Sequence, residues 1–304
     1  MRTYLECIPC FVRQTLDAVR FVTDDEAVHA DVLRQVLRAA ADMDMSLAPP
    51  AMGHQIHSLI RRLTDKADPY LDVKQRFNRF AMGLYPEMRR RVEQAADPLE
   101  TAARLAIAGN IIDFGVDSTL EESAVHETIK RAMSEPLCGS VDGWRDAASE
   151  ARDILFLADN AGEIVFDRVL IEALPSHKVT VAVKGGPVIN DATMDDARAA
   201  GLVGRVAVID TGSDAPGTLL DTCSDAFRRR FDLADMVVAK GQANYETLSD
   251  TGRRVFFLLM AKCPVIARDL ECEQGALIAR QCDAAVGRGT VDTNPGRDRK
   301  QQQA

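Results

Sequence analysis

Four segments gather acids, amides and lysines beside glycine: Asp159-Asn160-Ala161-Gly162-Glu163, Lys184-Gly185-Gly186-Pro187 running on to Asn190-Asp191-Ala192-Thr193, Asp210-Thr211-Gly212-Ser213-Asp214, and Lys240-Gly241-Gln242-Ala243-Asn244-Tyr245-Glu246. Asp159, Asn160 and Asp191 offer hard oxygen donors, which suit a divalent ion such as Mg or Mn. No His or Cys lies near them in sequence, which argues against a structural zinc site. Lys184 and Lys240 add positive charge, and a divalent cation with lysines is what a phosphoryl group gathering negative charge requires. Backbone N–H groups at the helix start after Gly162 could take another phosphate oxygen, and Glu163 is a candidate base or an orienter of the ligands. The ordinary explanation stands beside this one: Asp159 and Asn160 would cap a helix, and the lysines would be solvated.

The elements that must position these residues are short apolar runs. Each segment follows one: DILFLA (153–158), KVTVAV (178–183), RVAVID (205–210) and MVVAK (236–240) read as buried strands, as does PVIA (264–267). VFFLLM (255–260) is too short for periodicity to decide between strand and helix end. Helical stretches at 165–173, 194–200 and 219–231 follow several runs, so a mainly parallel sheet with right-handed crossovers is expected. Ligands of such sheets bind beyond the carboxyl ends of the strands, where the four segments fall.

The chain before residue 151 reads as helical, at 15–22, 30–45, 54–64, 70–85 and 99–112, with Pro49 and Pro50 closing the second stretch. The expected organisation is a helical part over 1–150, an α/β core over 151–288 and a polar, disordered tail over 289–304. The net charge of -9 argues against nucleic acid as a partner. No apolar run approaches the roughly 20 residues that span a bilayer, so no membrane partner is expected. The start, MRTYLECIPCFVRQ, lacks the order of a signal peptide, and an odd count of 7 cysteines suits free thiols in a reducing, cytoplasmic setting.

The sequence resembles the damage-control phosphatase family, catalogued also as domain of unknown function eighty-nine. The matching blocks are GNIIDFG (109–115), DNAGEIVFD (159–167), VKGGPVINDAT (183–193) and AKGQANYETL (239–248), with LECIPCFVRQ, GHQIH and DPYLDVK similar to its small prokaryotic, CxxC-bearing branch. The likeness runs to about residue 286. It implies a three-layer α/β/α core beside an amino-terminal helical subdomain that contributes GNIIDFG to the site. It implies a divalent metal (Mn, Co, Ni or Mg) on Asp159, Asn160 and Asp191, and phosphate contact by Lys240. Asn110, Asp113 and Lys184 match other shared site positions, and Gly162 and Asn244 fall in the same blocks as substrate contacts. Members hydrolyse small phosphorylated metabolites, including sugar phosphates and damaged or surplus cofactor intermediates. The expected reaction is metal-assisted hydrolysis of a phosphomonoester, with a metal-bound water or an Asp side chain as nucleophile.

Two other classes compete. An S-adenosylmethionine-dependent methyltransferase would use a similar sheet, but its acidic ribose contact would fall at Lys184. A non-catalytic metabolite-binding protein could use the same pocket. No GxGxxG follows the first strand, which argues against a nicotinamide or flavin enzyme. Cys7 and Cys10 share a helix face as half a metal site, a redox pair or two core thiols. His54 and His57 read as packing residues, Tyr70 and Lys74 as residues that could reach the site from the helical part, and Trp144 as junction packing.

Overall fold

The computed structural model describes residues 1–111 and 122–282. Asp113, with the rest of 112–115, and the tail from 289 lie outside the described residues.

The chain begins with three helices, α1 (Cys7–Val22), α2 (Glu26–Ala41) and α3 (Pro49–Thr64). Apolar residues at helical spacing close them around a core of their own, in which Val19, Val32, Val36, Ile56 and Ile60 are buried. The Asp25 side chain caps α2 by accepting from the Ala27 amide at 2.8 Å. Pro49 and Pro50, read in the sequence as a stop, instead open α3, where the first turn needs no N–H.

Then come α4 (Leu71–Glu93), α5 (Pro98–Ile111), α6 (Glu122–Ser134), β1 (Leu137–Gly139) and α7 (Asp142–Glu150). The α/β part continues as β2 (Ile154–Leu157), α8 (Glu163–Ala173), β3 (Val179–Val183), α9 (Met194–Ala199), β4 (Ala207–Asp210), α10 (Asp225–Leu233), β5 (Met236–Lys240), α11 (Gln242–Leu248), β6 (Val255–Met260), α12 (Pro264–Asp269) and β7 (Leu277–Cys282).

The strands form a 7-stranded sheet in the order β1-β7-β6-β5-β2-β3-β4. Neighbours pair in parallel except β6 with β7. One face packs on α4, α5, α7 and α8 through residues such as Phe156, Phe166, Trp144 and Ala106. The other packs on α10, α11 and α12 through Phe227, Phe231, Tyr245 and Ile266. The result is the expected α/β/α sandwich. β2, β3 and β5 are buried on both faces, which is why they read as unbroken apolar runs. α4 and α5 belong to the sandwich, because α5 is apolar nearly all round and packs on α8 and the sheet.

Two assignments are corrected. Residues 264–267 are helical: Pro264 starts α12 behind an extended Cys263, and a proline cannot donate to a central ladder. The stretch 219–231 is not one helix, because a tight turn over Leu220–Thr222 ends at Cys223 and Ser224 caps a new start by accepting from the Phe227 amide at 3.2 Å. VFFLLM is a strand, β6. Among the described residues, no helix is long and apolar enough to cross a membrane.

Candidate active site

After β2 the chain continues to β3 and β4 on one side, then returns through β5 on the other. The crevice at that reversal is where a parallel sheet offers a site. Asp159 leaves the end of β2 there. Its carbonyl accepts from the Ala192 amide at 2.7 Å, and the Ala161 amide donates to the Asn190 carbonyl at 2.8 Å. Asn160 and Asp191 face each other as an antiparallel bridge between these bonds. Two loops far apart in sequence are thereby zipped together, and Asp159, Asn160 and Asp191 meet.

Gly241, at the end of β5, makes the third wall. A Cβ on it would lie 1.8 Å from Asp159 Oδ2, and its φ is +79°. Only glycine lets the carboxylate lie this close to the strand end.

The carboxylates are caged by amides. Asn110 Nδ2 donates to Asp159 Oδ2 at 3.0 Å and to Glu163 Oε2 at 3.2 Å. Asn160 Nδ2 donates to the same two oxygens, each at 3.0 Å. Asn110 Oδ1 in turn accepts from the Met260 amide at 3.1 Å. Asn160 therefore turns its amide nitrogen inward and keeps its oxygen for another partner.

Burial raises the Asp159 carboxyl well above the usual range, and Glu163 and Asp191 push it further against the pull of Lys262 and Lys184. Burial likewise raises Asp191, against Lys184 and Lys74. Asp191 Oδ2 is buried without a hydrogen bond, its ion-pair partner Lys184 Nζ standing 3.4 Å away. Carboxylates so crowded and desolvated are short of positive charge, which a divalent cation would supply. Among the described residues no group of three or more His, Cys, Asp or Glu is set as metal ligands. A cation here would rest on two carboxylates, an amide oxygen and water, a donor mix that fits hard ions of the Mg or Mn kind.

Lys240 differs from expectation. It is fully buried, and its ammonium donates to Glu163 Oε1 and Asp167 Oδ1, each at 2.6 Å, and to the Ala106 carbonyl at 3.0 Å. Those bonds use all three protons, so Lys240 braces Glu163 from behind instead of facing the crevice. Burial alone would lower its ammonium, but Asp167 and Glu163 outweigh that and raise it. Asp167 itself is pushed up to about 7, chiefly by burial.

Two more expected contacts are internal braces. The Gly162 amide donates to Asn78 Oδ1 at 2.7 Å. Asn244 accepts from Thr218 Oγ1 at 2.7 Å and donates to the Lys240 carbonyl at 2.8 Å. Lys184 does stand beside Asp191, its ammonium also donating to the Gly217 carbonyl.

Asn78, Asp167 and Lys262 were missed in the sequence. Asp167 sits one helical turn after Glu163, with apolar Ile164, Val165 and Phe166 between them, a pattern that marks two acids on one buried face. Lys262 follows β6 as the other segments follow their strands, a signal hidden while 255–260 stayed undecided. Lys74 reaches Asp196 at 3.0 Å, and Asn78 Nδ2 donates to the other Asp196 oxygen at 2.7 Å, so α4 is tied to the start of α9.

The damage-control phosphatase ARMT1-like domain matches residues 3–278. The chain belongs to the damage-control phosphatase family. A damage-control phosphatase of Pyrococcus horikoshii is 33% identical, the match covering 91% of this chain and 97% of that protein. One of Archaeoglobus fulgidus is 34% identical over 90% of this chain and 97% of that one. A crystal structure of a DUF89 family protein from Pyrococcus horikoshii superposes with a TM-score of 0.85 at 31% identity, covering 93% of this chain and all of that one.

In this damage-control phosphatase family member, a cleft of about 850 Å³ opens between α4, the loop after β3 and α9, and shares the Lys184 wall with the carboxylates. Gln75, Arg79, Lys184, Thr193 and Asp196 are among its walls. A smaller hollow of about 430 Å³ lies at the opposite ends of β2, β3 and β4, around Lys178 and Arg230, away from the oxygen donors.

None of the seven cysteines is joined in a disulfide among the described residues. Burial raises the Cys7 and Cys10 thiols, the reverse of what a reactive thiolate needs.

Proposed function

We propose that this protein hydrolyses small phosphorylated metabolites with the help of a divalent cation held by Asp159, Asn160 and Asp191. The observation that carries this reading is the convergence of two desolvated carboxylates and an outward amide oxygen at the carboxyl edge of the sheet, with Asp191 Oδ2 lacking a hydrogen bond. Family membership supports the reaction class, since relatives of similar length are named damage-control phosphatases.

When bound there, such an ion supplies positive charge to phosphoryl oxygens and can lower the pKa of a water. The chain's own residues do the rest. Glu163, held by Lys240, fixes the Asn160 amide so that its oxygen faces the crevice. Every oxygen of Glu163 is engaged in that work, which favours an orienting role over that of a base. Lys184 and Lys262, whose fields reach Asp159, take the charge-stabilising part expected of Lys240. The cleft beside α4, which Lys184, Gln75 and Arg79 help to line, receives the leaving group.

A methyltransferase is disfavoured because the position of its acidic ribose contact carries Lys184, turned towards Asp191. The test is a panel of phosphometabolites offered to Mn-loaded protein, with methyl transfer measured in parallel. Release of phosphate from at least one sugar phosphate or phosphorylated cofactor fragment is expected. Methyl transfer with no phosphate release would overturn the proposal.

A further inference from the structure

Outside the ligand set, α3 presents two side chains to the site loops. Arg61 Nη1 donates to the Pro187 carbonyl at 2.8 Å, and its Nη2 donates to Asp214. The other Asp214 oxygen meets His54 Nε2 at 2.9 Å. Pro187 belongs to the loop after β3 and Asp214 to the loop after β4, so one helix grips both.

The two loops are already pressed together. The Gly185 amide donates to the Ser213 carbonyl at 2.8 Å, and a Cβ on Gly185 would lie 2.6 Å from the Gly212 backbone. A Cβ on Gly186 would stand 3.1 Å from the Asp214 side chain. This closeness requires glycines, and glycines leave the loop without side chains to fix it. Lys184 sits at the loop's first position, and its ammonium is tied to the Gly217 carbonyl on the other loop. The placement of Lys184 therefore depends on the placement of both loops.

We propose that His54, Arg61 and Asp214 form a brace that positions Lys184 beside Asp191; the inference rests on the role given above to Lys184. The side chains of Arg61, His54 and Asp214 are 19%, 31% and 41% exposed, so their ion pairs add little to global stability. Their value lies in geometry. The planar guanidinium holds a carbonyl and a carboxylate on two nitrogens of one rigid fork, a fixed geometry that the point-like ammonium of a lysine does not impose. His54, Arg61 and Asp214 are positioning residues that act through Lys184.

A double-mutant cycle with Lys184 and amide exchange of the loops test this together. Asp214→Ala or Arg61→Gln is expected to lower kcat/KM about tenfold in the wild-type background and less than about twofold in the Lys184→Ala background. Arg61→Lys should recover little, and His54→Gln should recover most of what His54→Ala loses. Equal losses in both backgrounds would overturn the brace. Exchange of the Gly185 amide should quicken in Asp214→Ala while amides in β2 and β5 keep their protection. Unchanged Gly185 exchange would overturn the brace whatever the activity. Quickened exchange in a protein that hydrolyses no phosphate ester would uphold the brace and overturn the functional reading instead.

Discussion

At Lys240, three bonds hold a buried ammonium against two buried carboxylates and a carbonyl. Removing one partner from such a cluster leaves the rest uncompensated, so Lys240→Ala should cost about 3–5 kcal/mol in chemical denaturation. A loss below about 1 kcal/mol would show that Glu163 and Asp167 do not depend on it. His57 makes a pH prediction. Burial lowers its imidazole from 6.5 to about 4, and it packs edge-on against Tyr70. Between those values the unfolded chain binds a proton that the folded one refuses, so this term weakens the fold as pH falls. Asp167, raised to about 7, works in the opposite direction, so the comparison must be with a variant. Relative to His57→Leu, the wild type should lose up to about 3 kcal/mol between pH 7 and pH 4. Parallel stability curves for the two proteins would contradict this.

Among the elements, the ends of β5 and α1 make contrasting predictions. Gly241→Ala would drive a methyl into the Asp159 carboxylate at a positive φ, and should both destabilise the protein by several kcal/mol and abolish Mn binding in calorimetry. Gly83→Ala, within α4 and with nothing within 4 Å of its Cβ, should instead stabilise by about 0.5–1 kcal/mol and leave Mn binding alone. If both variants bound Mn normally, the strand end would not be part of the cation site. At α1, Cys7→Ser combined with Cys10→Ser should retain Mn affinity and phosphate release, because the proposed chemistry uses oxygen donors. Stoichiometric zinc lost with activity in that variant would show a metal role for the thiols.

For the whole molecule, the sheet was legible wherever strands are buried on both faces, since β2, β3 and β5 are apolar but for Thr180 and the terminal Lys240. β1 has only three residues, and β7 carries Arg280 and Gln281 towards a half-exposed end, so neither announced itself. The segments that carry the candidate oxygen donors were legible because they follow strands. The orientation of Lys240 was not, because its partners lie on α8 and only the packing of α5 against that helix decides which way the ammonium turns. The amino-terminal helices close on their own core yet reach the site through Arg61 and His54, a coupling that no local pattern in α3 reveals. These layers converge on one claim, that Asp159, Asn160 and Asp191 hold the ion on which phosphate release depends. Hydrolysis of an aryl phosphate by chelator-stripped protein, before and after adding Mn, tests it most directly, with Asp191→Ala alongside. The wild type should fall to background and recover with Mn, while Asp191→Ala recovers only at far higher Mn; a stripped wild type that turns over at full rate would contradict the account.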